Sequence, residues 1–148
     1  MFRLTDKPID AAALRAELEN AACGGVVVFE GIVRDHNDGR RVLRLEYEAY
    51  DALALKEGAA ILSEAMREGK VASAVCVHRL GPLAIGDAAV WVGVASAHRG
   101  EAFEACRRII DEVKRRVPIW KREHYADGTE AWVNCAACDD PGHGHAPA

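Results

Sequence analysis

The chain has 148 residues, 50% of them hydrophobic and 28% charged, with a formal net charge of −4. That is globular composition for one domain with its own core, and it excludes a chain that is disordered throughout. The acidic total argues against nucleic acid as a partner, since such domains are usually basic overall. No apolar run approaches the ~20 residues that span a bilayer and no signal-like stretch follows Met1, so a cytoplasmic protein with no membrane partner is expected.

In chain order, Arg3 and Leu4 open a short strand, and Pro8-Ile9-Asp10 reads as the entry to an Ala/Leu/Glu-rich helix over 11–20 that Gly24-Gly25 stops. A β-branched run begins a strand over 26–34, in which Gly31 marks a bulge or a close backbone approach. After a polar turn over 35–39, the stretch 42–48 alternates apolar with charged residues, as a strand with one wet face does. It is expected to pair with the strand before the turn. Asp51 caps a helix over 52–68, where Leu55, Ala59, Leu62 and Met66 recur at helical spacing, and Gly69 ends it. Strands over 71–79 and 88–95 follow, separated by turns at Gly81-Pro82 and Gly86-Asp87.

The stretch 96–103 joins a strand end to a helix start, and the helix runs past Lys114 until Pro118 forbids it. At about 100° per residue, Phe103, Cys106, Ile109, Ile110, Val113 and Val117 share one arc, opposite Glu104, Arg108, Glu112 and Arg115. Lys114 falls at the edge of the apolar arc, which packs its stem and aims its ammonium at the adjoining groove. A strand over 120–125 then carries Lys121 and turns at Asp127-Gly128 into 131–133. Residues 98–124 hold eight Lys/Arg against five acids, a local +3 in a chain whose remainder carries −7. Such an island points to a small anionic ligand or an acidic partner.

Of five cysteines, Cys76 and Cys106 are expected as buried thiols in a reducing compartment. Cys135-x2-Cys138 followed by His143 and His145 has a zinc-like spacing, but a lone C-x2-C with histidines in a Gly/Pro-rich tail is non-specific. No metal is expected, and 139–148 reads as a disordered tail.

Five pieces, in order between about residues 24 and 133, resemble the MoaE family of molybdopterin synthase catalytic (large) subunits. They are Phe29-Glu30-Gly31-Ile32-Val33-Arg34-Asp35-His36-Asn37, Leu45-Glu46-Tyr47-Glu48-Ala49-Tyr50, Val77-His78-Arg79-Leu80-Gly81, Val94-Ala95-Ser96-Ala97-His98-Arg99, and Lys114 with Pro118-Ile119-Trp120-Lys121-Arg122-Glu123. The resemblance implies an α+β, hammerhead-like fold, an antiparallel sheet with flanking helices, as a single domain over 1–138. It implies a sulfurtransferase that converts cyclic pyranopterin monophosphate to molybdopterin in molybdenum cofactor biosynthesis. Sulfur would come from the thiocarboxylate on the C-terminal Gly-Gly of a small ubiquitin-like subunit, within a heterotetramer built on a homodimer of large subunits. No cofactor is implied.

By the same resemblance, Lys114 and Lys121 are the catalytic residues, and Phe29, Arg34, His98, Arg99 and Arg122 bind substrate, with His98 and Arg99 acting in cis or across the dimer. One departure is that Asn134-Cys135-Ala136-Ala137 lacks the arginine that family members often carry a few residues after the tryptophan matching Trp132. The residue types suit the chemistry: arginine forks hold phosphate, and a desolvated lysine among cations can move protons or act as a transient nucleophile. Arg107 and Arg115 beside Lys114 could share its electrostatic role, so Lys121 is expected to be the harder to replace. The competing reading is a non-catalytic anion-binding or adaptor domain that docks an acidic tail on the same island.

Overall fold

The computed structural model describes residues 1–134. The elements are β1 (Phe2–Thr5), α1 (Ala11–Ala16), β2 (Gly25–Ile32), β3 (His36–Asn37), β4 (Arg40–Ala49), α2 (Asp51–Gly69), β5 (Ser73–Arg79), β6 (Gly81–Ala84), β7 (Ala88–Ser96), α3 (Arg99–Arg116), β8 (Ile119–Tyr125) and β9 (Glu130–Asn134). The first sheet has the order β1-β5-β7-β2, and the second runs β3-β4-β8-β9 with β6 also on β4. All pairings are antiparallel except β1 with β5. This is the expected hammerhead-like α+β arrangement.

Both faces of the first sheet are covered, which is why β5 and β7 are nearly continuous apolar runs. Cys76, Val90, Val92 and Val94 meet Ile61 and Leu62 of α2 and Ile109 and Val113 of α3. Val75, Val77, Trp91 and Ala95 meet Leu14 and Leu18 on the other side. A third cluster of Val33, Val42, Leu45, Leu83 and Tyr125 forms where the second sheet curls against the end of the first. Cys76 and Cys106 are buried free thiols, as expected, and burial pushes them up to about 12 and about 11.

Several local expectations are corrected. The strand over 26–34 does not pair with 42–48: β2 runs against β7 from Gly25↔Ser96, and the chain after it meets β4 through the short β3 ladder, His36↔Arg41 and Asn37↔Arg40, and the Val42 N–H donating to the Asp35 carbonyl. The start of β2 packs Val27 and Val26 against the clusters on the two faces of the first sheet, whereas the charged alternation of β4 needs the wet face that pairing with β8 and β6 provides. The turn at Gly81-Pro82 is strand β6, with Leu83 opposite Leu45. Helix α1 stops at Ala16: the Asp10 carboxylate accepts from the Ala13 N–H at 3.0 Å, but Leu18 and Glu19 donate three residues back, which swings Leu18 into the core.

Helix α2 has Tyr50 at its N-cap, without a side-chain cap, and Asp51 in its first turn, where a carboxylate faces the positive end of the helix. Gly69 is still helical, and Lys70 takes the left-handed conformation at φ 55°. The buried face is Ala54, Gly58, Ile61, Leu62 and Ala65, leaving Leu55 exposed. The reason is Phe2: a Cβ on Gly58 would lie 2.2 Å from its ring, so the helix turns its smallest residue toward β1. On α3 the inward residue is Ala102, and Phe103 is 62% exposed. Among the described residues no helix is long and apolar enough to cross a membrane. The expected domain end at 138, the tail 139–148 and the Cys135, Cys138, His143, His145 spacing lie outside the described residues.

Candidate functional site

Pro118 ends α3 and starts β8, which pairs with β4 so that Lys121 stands opposite Tyr47 and Arg122 opposite Glu46. Side chains alternate across a strand, so Lys121 and Glu123 share the face of Tyr47, and Arg122 shares the face of Glu46. The last turns of α3 bring Val113 and Lys114 to the Lys121 face. The register of β2 shifts between Gly31 and Ile32, where a Cβ on Gly31 would sit 2.7 Å from Val90 Cγ1. That close approach and bulge carry the chain round to Arg34 and His36.

These elements enclose a cavity of about 330 Å³ lined by Phe29, Arg34, Tyr47, His78, Lys114 and Lys121, among others. The size is at the small end of sites for small ligands. Four of the expected site residues, Phe29, Arg34, Lys114 and Lys121, therefore share one wall system. Lys114 is half-buried at the edge of the apolar face of α3, where the helical wheel put it. Arg34 is exposed at the rim.

The other three lie elsewhere. Arg122 faces away from the cavity, paired with Glu46 at 2.5 Å and Glu130 at 3.5 Å, its guanidinium 5.0 Å from the centre of the Trp132 ring. His98 and Arg99 are exposed at the start of α3, and the Arg99 backbone packs against Gly25 at the beginning of β2. Neither lines the cavity of its own chain. The expected cover for Lys114 is also absent from the cavity wall: Arg107 pairs with Asp111 at 3.7 Å and Arg115 with Glu112 at 2.7 Å, both largely exposed.

Three lining residues escaped the sequence reading. Glu123 is 1% exposed and has three partners: Lys121 Nζ at 3.1 Å, the Tyr125 hydroxyl donating at 2.6 Å, and Asn37 Nδ2 donating to its two oxygens at 2.9 and 3.0 Å. Burial raises its affinity for a proton, but the bonds from Tyr125, Asn37 and Lys121 outweigh it and hold the carboxyl below its ordinary range. The carboxylate in turn helps burial push Tyr125 up to about 12. The signal for Glu123 was available, because it follows Lys121 by two on a strand. Asn37 was hidden in a polar turn.

His78 is the third, a polar residue inside the apolar run of β5, with no periodic signal to mark it. It is 6% exposed, and burial lowers it to about 4, aided by the nearby Lys114 charge and opposed by its bond to the Arg79 carbonyl. It is therefore neutral near pH 7. Chemically, the cavity offers two ammonium groups on opposite elements and a guanidinium at the mouth, with one ionised carboxylate bound to one of the lysines. It suits an anionic ligand that must be held while protons move.

Residues 4–116 match the family model described as MoaE protein. A Pyrococcus abyssi protein named molybdopterin synthase catalytic subunit is 48% identical over 118 residues, covering 80% of this chain and 79% of its own. A Nostoc sp. protein of the same name is 39% identical over 142 residues, covering 95% and 86%. The crystal structure of a molybdopterin synthase from Staphylococcus aureus superposes with a TM-score of 0.83 at 38% identity, covering 88% of this chain and 94% of that one.

Proposed function

The chain belongs to the MoaE protein family, and we propose that it acts as the catalytic subunit of a molybdopterin synthase, a sulfurtransferase of molybdenum cofactor biosynthesis. Its substrate is cyclic pyranopterin monophosphate. Each sulfur arrives as the C-terminal thiocarboxylate of a small ubiquitin-like subunit, which gives up the sulfur and is returned as a carboxylate. The observation that carries this reading is the meeting of Lys114 and Lys121 across one cavity with Arg34 at its rim. Two cations from separate elements can hold the thiocarboxylate and the pterin together and move protons as sulfur adds and oxygen leaves.

Phe29 and Arg34 are the substrate-binding residues within the cavity. Outside it, His98 offers a ring N–H and Arg99 a guanidinium where the first turn of α3 leaves backbone N–H groups free, which suits a phosphate. From that position they serve a site completed by a second large subunit. Arg122 acts at a distance, by fixing β8 to β4 through Glu46. The protein works as a homodimer of large subunits carrying two small subunits. Its buried free thiols suit a reducing, cytoplasmic setting.

Reconstitution with the thiocarboxylated small subunit and the cyclic pterin tests the proposal, with consumption of both and appearance of the dithiolene as the expected result. A complex that forms without any sulfur moving would replace this reading with the adaptor one.

A further inference from the structure

The cavity contains an ionisable side chain to which the proposed reaction assigns no part. His78 ends β5, is 6% exposed, and lines the same cavity as Lys114. Its Nδ1 lies 3.0 Å from the Arg79 carbonyl oxygen. A carbonyl only accepts, so Nδ1 carries the ring proton and Nε2 keeps a lone pair. The Tyr47 ring stands edge-on to the imidazole, centroids 5.0 Å apart at 68°, which fixes the plane in which that lone pair lies.

We propose that His78 is a positioning residue for Lys114: its Nε2 is an uncharged acceptor inside a cationic cavity and fixes where the Lys114 ammonium sits. The ionisable groups that share the cavity with it are Lys114 on α3, Tyr47 on β4, Lys121 and Glu123 on β8, and Arg34 and His36 after β2. The cations among them outnumber Glu123, so a second proton on His78 would add repulsion where Lys114 must approach. A neutral imidazole accepts a hydrogen bond without neutralising the charge needed for an anionic ligand. A carboxylate in its place would cancel that charge.

The inference rests on the molybdopterin synthase reading only for its activity readout. Nitrogen NMR on the whole protein with labelled histidine tests the contact directly. The expected result is an unprotonated Nε2 whose resonance moves in Lys114→Met. A protonated Nε2, or a resonance indifferent to Lys114→Met, overturns the proposal whatever the enzyme turns over.

In turnover, His78→Asn keeps an amide near the Arg79 carbonyl but offers nothing at Nε2. It should lower kcat by about ten- to a hundredfold, the scale of a misplaced reacting group, with KM little changed. His78→Gln, whose amide oxygen reaches toward the Nε2 position, should recover most of that loss. Equal losses in both variants, tracking their melting temperatures, would reduce His78 to a packing residue, and wild-type kcat in His78→Asn would remove it from the mechanism. If wild-type protein is itself inactive with the thiocarboxylate, the functional reading fails while the NMR result still decides the contact.

Discussion

Lys121 is expected to be harder to replace than Lys114, for a reason different from the one the sequence offered. Arg107 and Arg115 do not stand in for Lys114, since both face solvent with their own carboxylates. What distinguishes Lys121 is its 12% exposed side chain, fixed at 3.1 Å on an almost fully buried Glu123. Arginine keeps the charge but cannot give up a proton near neutral pH. If Lys121 moves a proton in the reaction, Lys121→Arg should lose about 10²–10⁴ in turnover, the scale of a lost general acid–base group, with folding and partner binding intact. Substantial turnover would leave Lys121 as an electrostatic anchor. His78 yields a second expectation, in stability. Its folded value of about 4 lies below the ordinary 6.5, so the unfolded chain takes up the proton first as pH falls. The protein should be fully stabilised in this respect above pH 6.5 and lose up to about 3 kcal/mol as pH drops toward 4. His78→Gln should flatten that part of the curve in urea titrations at several pH values, and an unchanged slope would assign the loss to other groups.

At the scale of elements, the junction of α2 with β1 is set by a missing side chain. Gly58 in mid-helix forfeits about 1 kcal/mol relative to alanine. The structure accepts that loss because a Cβ there would lie 2.2 Å from the Phe2 ring, which is itself 7% exposed in the core. Gly58→Ala should thus destabilise by about 1–3 kcal/mol by overpacking, against its gain in helix propensity, and combining it with Phe2→Leu should recover part of the loss. A raised melting temperature for Gly58→Ala alone would contradict the contact. The same junction shows why the sequence was legible only in part. Periodicity located α2, but its stripe of Leu55, Ala59, Leu62 and Met66 was rotated from the buried one, because the size of Phe2, distant in sequence, decides which side turns inward. Phe103 was misplaced in the same manner, by an arc that Ala102 fills. Strand partners are non-local and were misread where two neighbouring strands invited a hairpin. The cavity lysines were legible because a helix edge and a strand face are both local geometry. His78 was not, since nothing local separates a cavity-lining histidine in a buried strand from a packed one.

For the whole molecule, the first sheet ends at β2, which pairs with β7 on one side and with no other strand among the described residues. Natural proteins blunt or cover such an edge, because its open N–H and C=O groups recruit other chains. This edge carries one exposed charge, Glu30, among exposed apolar residues: Val28, Phe29 and Ile32 are 42%, 37% and 47% exposed. His98 and Arg99 lie by the beginning of the same strand, at Gly25, outside the cavity of their own chain. A second copy laid along β2 would cover the apolar residues and carry its own His98-Arg99 pair toward the facing chain's site. Light scattering at micromolar concentration should therefore report a dimer, and the melting temperature should rise with protein concentration, as coupling of folding to association requires. Val28→Lys places a charge on that edge without touching the cavity lining, and it should shift the population to monomer. If His98 and Arg99 work across the interface, the monomeric variant should lose turnover while keeping its affinity for the small subunit. A wild-type chain that is monomeric at those concentrations, or a monomeric Val28→Lys with full activity, would return the His98-Arg99 pair to its own chain and leave β2 an unpaired edge.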